Sequence, residues 1–413
     1  MMKKFLFLLL IAFSFISSSV KAEETFNAAA KHAIAVEANT GKILYEKDAN
    51  SSAAIASITK ILTVYMVYKE IQSGDLSWNS KVKISDYPYQ LTRDYDASNV
   101  PMEARRYSVK DLVEAAMIAS ANSAAIALAE KVGGTEPKFV DMMTKQLKEW
   151  GITDAKLVNA SGLNNKTLGK NIYPGSKSDD ENMMSAKDVA IIARHLIQDF
   201  PEVLKISQKT SADFSGTKME TYNYMLQNMP YAREGVDGLK TGTTELAGAS
   251  FVATSNENGM RLISVILNAD NSNNDESARF KATNDLLNYI NKTYELTTLI
   301  HKGESYKGSK LKVTDGKKAY VTAVAQKDFS VVRNKSSDKQ NVLKIIPAQK
   351  EISATVKKGQ TIARASLEDK NTIGQGYLES PPHVKLIAQK EVKRSFFLKV
   401  LWNHFVKYVN KNL

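Results

Sequence analysis

The sequence predicts an α/β layered fold over residues 26–296, a small all-β unit over 297–385 and a terminal amphipathic helix over 391–413. Three observations carry that expectation. Strand-like apolar runs stand at both ends of a helical middle, so the two ends of the first unit can meet in one sheet. Helical periodicity stops after Tyr294, where short β-rich runs divided by turn signals take over. The last residues place apolar and basic side chains on opposite sides of a helical wheel.

Each element has a local cause. Met1–Lys4 is basic, Phe5–Ile16 is apolar, and the small-x-small pattern Val20-x-Ala22 follows. That is the pattern of a secretory signal peptide over residues 1–22, shorter than a membrane span requires. Residues 33–37 and 42–46 run apolar around Asn39-Thr40-Gly41, as a β-hairpin does. Ala53–Ile71 is apolar nearly all round and closed by Gly74, which reads as a buried central helix. Val109–Val132 reads as an Ala-rich helix. Ser185–Gln198 reads as another, with Ser185 and Asp188 spaced as a capping box. Ala249–Ala253 and Leu262–Asn268 are apolar strands, and Ser277–Tyr294 is a helix. In the second unit Tyr320–Ala325, Asn341–Ile346 and Thr361–Ser366 are the clearest strands, with turns at Asp315-Gly316, Lys358-Gly359 and Gly374-x-Gly376. The unit ends near Pro381-Pro382.

Composition removes several function classes. The 413 residues include no cysteine, so there is no thiol nucleophile, no disulfide and no thiolate metal ligand. The five histidines are scattered without a His-Glu-x-x-His, and the expectation is that neither metal nor cofactor is needed. The net charge is +12, and removing Lys3, Lys4 and Lys21 with the signal leaves +9. In an exported protein that excess fits anionic lipid and wall polymers rather than nucleic acid. Residues 391–413 alone carry five cations against Glu391, +4 net. Leu398, Leu401, Trp402, Phe405, Val409 and Leu413 share one face there, with Lys399, Asn403, Lys407, Asn410 and Lys411 opposite. A helix of this kind lies in an anionic membrane interface, unless it docks on its own domain.

Acyl transfer without cysteine, and without an evident histidine partner, needs a serine activated by another base. A lysine three residues later on a helix supplies one, because i and i+3 side chains share a face. Ser57-Ile58-Thr59-Lys60 opens the most buried helix. Burial beside another cation lowers a lysine's proton affinity, so that it can accept the serine proton. The motif alone is weak, since Ser80/Lys83, Ser215/Lys218, Ser309/Lys312 and Ser336/Lys339 share the spacing. Context separates them. Ser120-Ala121-Asn122 interrupts an apolar helical stretch, where polar side chains are costly to bury without partners. Lys240-Thr241-Gly242-Thr243 holds the chain's single Lys-Thr-Gly, leading toward the strand Ala249–Ala253. A glycine there would let substrate backbone approach closely.

Ser-x-x-Lys, Ser-x-Asn and Lys-Thr-Gly in this order are the trio of penicillin-binding proteins and class A β-lactamases. With Asn159-Ala160-Ser161-Gly162-Leu163, Asp237–Thr243 and Arg261-Leu262-Ile263-Ser264, the chain resembles the penicillin-binding protein 5 type of D-alanyl-D-alanine carboxypeptidase. The resemblance spans the signal peptide, peptidase domain, β domain and terminal helix. It implies a β-lactamase/transpeptidase-like sandwich, an antiparallel sheet flanked by helices. It implies Ser57 as acyl-accepting nucleophile, Lys60 as general base and Ser120 as proton relay to the departing D-alanine. Asn122 would hold the substrate amide and Lys240 would supply positive charge. Thr241 and Thr243 would bind the terminal carboxylate beside Gly242, and the N–H groups of Ser57 and Thr243 would form the oxyanion hole. Many relatives have histidine where this chain has Thr243, and Arg279 is a candidate extra carboxylate ligand. The implied partners are stem peptides ending in D-Ala-D-Ala, β-lactam antibiotics and an anionic membrane surface. The implied location is the outer face of the cytoplasmic membrane. A class A β-lactamase would need a Glu-x-x-x-Asn segment between Asn122 and Lys240, and none is present. A D,D-endopeptidase stays open, and a non-enzymatic wall-binding protein is disfavoured by the intact trio.

Overall fold

A computed structural model describes residues 26–93, 97–336 and 342–412; the expected signal peptide lies outside the described residues. β1 (Ala30–Glu37) and β2 (Lys42–Lys47) form the hairpin, with Gly41 at φ +72° in its turn. β3 (Val236–Thr244), β4 (Gly248–Glu257) and β5 (Met260–Ala269) complete a sheet in the order β2-β1-β5-β4-β3, antiparallel throughout. Ile34 lies opposite Val265, so the two ends of the first unit meet as expected.

Both sheet faces are covered. Ile34, Val36, Ile263 and Val265 pack against α1 (Lys60–Ser73), α2 (Val109–Met117), α3 (Asn122–Gly133) and α4 (Ala186–Asp199). Ala33, Ala35, Leu262 and Ile266 pack against α5 (Ala278–Thr293) through Leu286, Leu287 and Ile290. α4 starts at the expected Ser185/Asp188 capping box.

Two expected helices are shorter than their apolar runs. Ser52–Ala54 pairs as a strand with Met183–Ser185, and Ala56–Thr59 is a 3-10 turn, so α1 starts only at Lys60. The polar edge of Met183–Ser185 satisfies that backbone, which an alanine run does not reveal. The expected helix over 109–132 breaks between Met117 and Asn122, where Ser120 adopts φ +54°. Left-handed backbone at a non-glycine residue cannot continue a helix.

The β unit comprises β6 (Tyr294–Ile300), β7 (Lys310–Thr314), β8 (Tyr320–Ala325), β9 (Phe329–Asn334), β10 (Val342–Pro347), β11 (Ile352–Ser353), β12 (Thr361–Glu368) and β13 (His383–Ala388). β6 pairs with β9, and the rest form a sheet in the order β10-β12-β13-β8-β7-β11. Pro381-Pro382 is therefore a connection rather than an end, because β13 runs past residue 385 into the middle of this sheet. Residue 341 at the expected start of β10 lies outside the described residues. The Gly374-x-Gly376 turn does more than connect strands. It lies along β2, where Ile43 N–H donates to Gly376 O at 2.9 Å and Leu378 N–H to Gly41 O at 2.8 Å. Lys42 and Asp369, both nearly buried, pair at 2.7 Å across the same contact.

α6 (Phe397–Asn412) closes the chain. Val400 is buried at its base, His404 meets Asp315 at 3.0 Å and Lys407 meets Glu351 at 2.8 Å. Leu398, Leu401, Trp402 and Phe405 are each more than half exposed. No helix among the described residues is long and apolar enough to cross a membrane.

Candidate active site

Ser57 sits in the 3-10 turn before α1, where i and i+3 side chains eclipse. Lys60 Nζ accordingly lies 2.8 Å from Ser57 Oγ. The turn is braced from several sides. Ala56 has φ +47°, Thr59 Oγ donates to Ala56 O at 2.8 Å, and Asn182 Nδ2 donates to Thr59 Oγ at 2.9 Å. Backbone held in a sparsely populated region persists only where surroundings over-determine it, and such residues cluster at functional sites.

Lys60 is fully buried, yet among the described residues no carboxylate touches it. Its other contacts are Asn122 Oδ1 at 2.7 Å and the Ser161 carbonyl at 2.7 Å. Burial pushes its proton affinity well below that of an ordinary lysine, and the Lys240 ammonium pushes it further.

Ser120 occupies the break between α2 and α3, where Lys240 Nζ donates to its Oγ at 3.0 Å and to Thr241 O at 3.1 Å. Burial, with Arg279 as a second cation, pushes the Lys240 pKa down to about 7. Asn122 opens α3 and bridges two segments. Its Oδ1 accepts from Lys60, and its Nδ2 donates to Ser98 O at 2.9 Å. Ser123 Oγ donates to Asn99 Oδ1 at 2.7 Å, so residues 98–99 satisfy the polar cluster.

β3 is an edge strand, and its free side carries Thr241, Gly242 and Thr243 along a cleft of about 340 Å³. Ser57 and Ser120 line the cleft floor, with Ser98, Tyr222, Tyr224 and Arg279 around it. An unpaired strand edge suits an extended peptide, which can add to it through main-chain hydrogen bonds. Gly242 has a different reason from the one expected. A Cβ there would lie 2.7 Å from Ile55 O, so its smallness lets β3 approach the Ser57 turn rather than a substrate. Arg279, at the start of α5, is buried; its Nη2 donates to Thr243 Oγ at 2.7 Å and its Nη1 to Gly242 O at 3.1 Å. All eight sequence-nominated residues thus converge on one cleft, with Arg279 beside them. Chemically, this is a hydroxyl against an amine of low proton affinity, a second hydroxyl–amine pair, and cations beside a strand edge.

The D-alanyl-D-alanine carboxypeptidase family model matches residues 18–271, more than half of the chain. The chain belongs to the D-alanyl-D-alanine carboxypeptidase family. A second model, the penicillin-binding protein 5 C-terminal domain, matches residues 294–394. A crystal structure of a peptidoglycan synthesis regulatory factor, PBP3, from Streptococcus pneumoniae is 51% identical, with a TM-score of 0.85, covering 89% of this chain and 100% of that one. Penicillin binding protein 5 from Haemophilus influenzae is 26% identical with a TM-score of 0.70, covering 89% and 99%. The D-alanyl-D-alanine carboxypeptidase DacF of Bacillus subtilis is 27% identical over 375 residues, 90% of this chain and 88% of its own.

In this D-alanyl-D-alanine carboxypeptidase family member, residues outside the trio hold the base in place. Asn159 Oδ1 accepts from Gly162 N–H at 2.6 Å and Ser161 N–H at 3.2 Å, which fixes the Ser161 carbonyl on Lys60. Gly162 has φ +84°, and a Cβ there would collide with the Ala56 carbonyl. Glu136, buried and pushed up to about 7 by burial, accepts from Ala160 N–H at 2.9 Å. The Asn159–Leu163 stretch was legible as a family match without a role. Glu136 and Asn182 carried no sequence signal, because only tertiary contact brings Asn182 to the Ser57 turn and Glu136 to the Ala160 amide.

Proposed function

We propose that this chain removes the terminal D-alanine from peptidoglycan stem peptides through an acyl-enzyme on Ser57. Neutral Lys60 takes the Ser57 proton while Oγ attacks the carbonyl carbon of the D-Ala-D-Ala bond. The C–N bond breaks as Ser120, backed by Lys240, delivers its proton to the departing amine and is reprotonated with the proton that Lys60 took from Ser57, which leaves Lys60 neutral again. Water then attacks the ester, its proton passes to Lys60, and Ser57 regains its own. The Ser57 and Thr243 N–H groups face the charge that develops on the carbonyl oxygen. Thr241, Thr243 and Arg279 receive the free carboxylate, and that preference makes the activity a carboxypeptidase. Asn122 positions the substrate amide from α3. β-Lactams acylate the same Ser57.

The observation that supports this reading most is the buried Lys60 amine, 2.8 Å from Ser57 Oγ and bonded to the neutral Asn122 Oδ1 and Ser161 carbonyl. Incubation with a synthetic D-Ala-D-Ala peptide tests it. D-alanine is released by wild type, suppressed by a β-lactam and absent with Ser57→Ala; release unaffected by both would overturn it.

We assign residues 26–293 to catalysis, 294–394 to a β domain and the helix that follows to anchoring, after cleavage of a signal at 1–22. The β domain is three residues wider at its start and nine at its end than the sequence suggests, because β6 and β13 belong to it. The open apolar face of α6, Leu398, Leu401, Trp402 and Phe405, supports peripheral attachment to an anionic membrane on its outer face.

A further inference from the structure

The charge of this chain is segregated. Residues 23–293 carry 30 Lys and Arg against 34 Asp and Glu, a net of −4. Residues 294–394 carry 20 against 10, a net of +10. The β unit therefore holds most of the basic excess, and part of it is concentrated on one surface.

In the six-stranded sheet the inward positions of β7, β8, β12 and β13, such as Leu311, Val321, Leu367 and Leu386, form a buried core. The opposite face is open over much of its area, apart from the buried Val324 on β8. It presents Lys310 and Lys312 on β7, Lys344 on β10, Arg364 on β12 and Lys385 on β13, all exposed. Arg364 and Lys385 lie directly opposite each other in the β12–β13 register, and Lys344 sits across from Ser366 on the neighbouring pair. Like charges opposite one another across a strand pair are destabilising. Glu368 is an exposed acid on the same face of β12, and Lys312 acts on Glu351 at the sheet edge, but among the described residues none of the five cations is within salt-bridge distance of a carboxylate; Lys310 alone has an aromatic partner, lying over the Tyr320 ring. Folding alone gives no reason for this arrangement, whereas a polyanion laid across the strands would relieve it.

We propose that this sheet face binds a linear polymer of phosphodiester charge, of the kind a cell wall carries. Adjacent strands stand about 4.8 Å apart, so Lys344, Arg364 and Lys385 form a closely spaced set of charges suited to successive phosphates. Geometry favours a polymer over the bilayer. α6 joins the sheet at the β7–β8 end, through His404 with Asp315 and the Gly316–Arg394 bridge. Gln326 N–H donates to Lys385 O, which places Lys385 six residues along from Tyr320 at that end. At about 3.3 Å per residue this is roughly 20 Å, twice the Debye length of about 10 Å at moderate salt. A bilayer held by α6 is thus screened from the Arg364–Lys385 pair. The surface would hold the enzyme along the wall polymer while the cleft works on stem peptides nearby.

Full-length protein is titrated with poly(glycerol phosphate) and, separately, with phosphatidylglycerol vesicles, over a range of salt. The sheet variant is Lys344→Gln/Arg364→Gln/Lys385→Gln. The control, Lys138→Gln/Lys145→Gln/Lys148→Gln, removes equal charge from exposed positions on the catalytic side. The rate of penicillin acylation reports that both variants are folded. The sheet variant should bind the polymer about 100-fold more weakly, at about 1 kcal/mol per cation. Its log–log salt slope should fall by about 2–3. The control should change little, and vesicle binding should be the same for all three proteins. Equal loss in both variants, or a loss confined to vesicles, would overturn the proposal; so would polymer binding that the sheet variant retains with acylation intact.

Discussion

Replacing Lys240 by methionine should stabilise the protein while disabling it, and the stabilisation should depend on pH. In the unfolded chain the lysine keeps its proton up to about 10.5, whereas in the folded cleft it gives it up at about 7. Between those values the unfolded state binds more protons, so stability rises with pH. Below about 7 both states are protonated, and the full cost of burying the charge is present. A gap of about 3.5 units, at about 1.4 kcal/mol each, makes that cost about 5 kcal/mol. Methionine has similar length and no charge, but it forfeits the bonds to Ser120 Oγ and Thr241 O, about 1 kcal/mol each. The net gain is about 3 kcal/mol at about pH 6, which shrinks and changes sign as pH approaches about 10.5. Thermal unfolding of the catalytic part should move up by about 6–12 °C at the lower pH, at about 2–4 °C per kcal/mol. D-alanine release should drop at least about 100-fold. A variant no more stable than wild type at about pH 6, or a gain unchanged by pH, would refute the claim that Lys240 is held at an energetic cost.

Other perturbations separate the parts of the site. Lys60→Ala should slow penicillin acylation by about 10²–10⁴-fold, while Lys83→Ala, at the same motif spacing on the surface, should leave it unchanged. Arg279→Gln removes a cation that depresses Lys240, so any limb of the pH–rate profile set by Lys240 should move to higher pH, with a raised KM. Gly242→Ala places a methyl 2.7 Å from Ile55 O and should push β3 off the Ser57 turn, lowering acylation more than stability. Deleting residues 396–412 should release the protein from anionic vesicles with D-alanine release retained, and salt should weaken attachment of the intact chain.

Much of this architecture was legible because it follows from pattern. The β1–β2 hairpin, the Ser185/Asp188 cap and the helix after residue 277 each have a local signature that burial reinforces. The trio was legible because the Ser120 cluster stood out as polar within an apolar run. The failures lie where tertiary contacts override local preference. The alanine-rich stretch before Lys60 favours helix by composition, yet Ser52–Ala54 is drawn into pairing with Met183–Ser185. The Ser120 break leaves no trace in periodicity, because left-handed backbone at a serine is stabilised from outside by Lys240 and the 98–99 segment. Glu136 acts through the Ala160 backbone amide and Asn182 through the Val158 amide and the Thr59 hydroxyl, all far away in sequence, and a single chain read linearly has no means of pairing them. Pro381-Pro382 reads as an end because proline stops strands; β13 starts immediately after it.

The mass of the intact protein after treatment with penicillin tests the central claim most directly. Activation of Ser57 by the buried Lys60 amine predicts one covalently held β-lactam on wild type, located to the peptide containing Ser57, and none on Ser57→Ala. An adduct that persists on Ser57→Ala, or that maps to another serine, would contradict it.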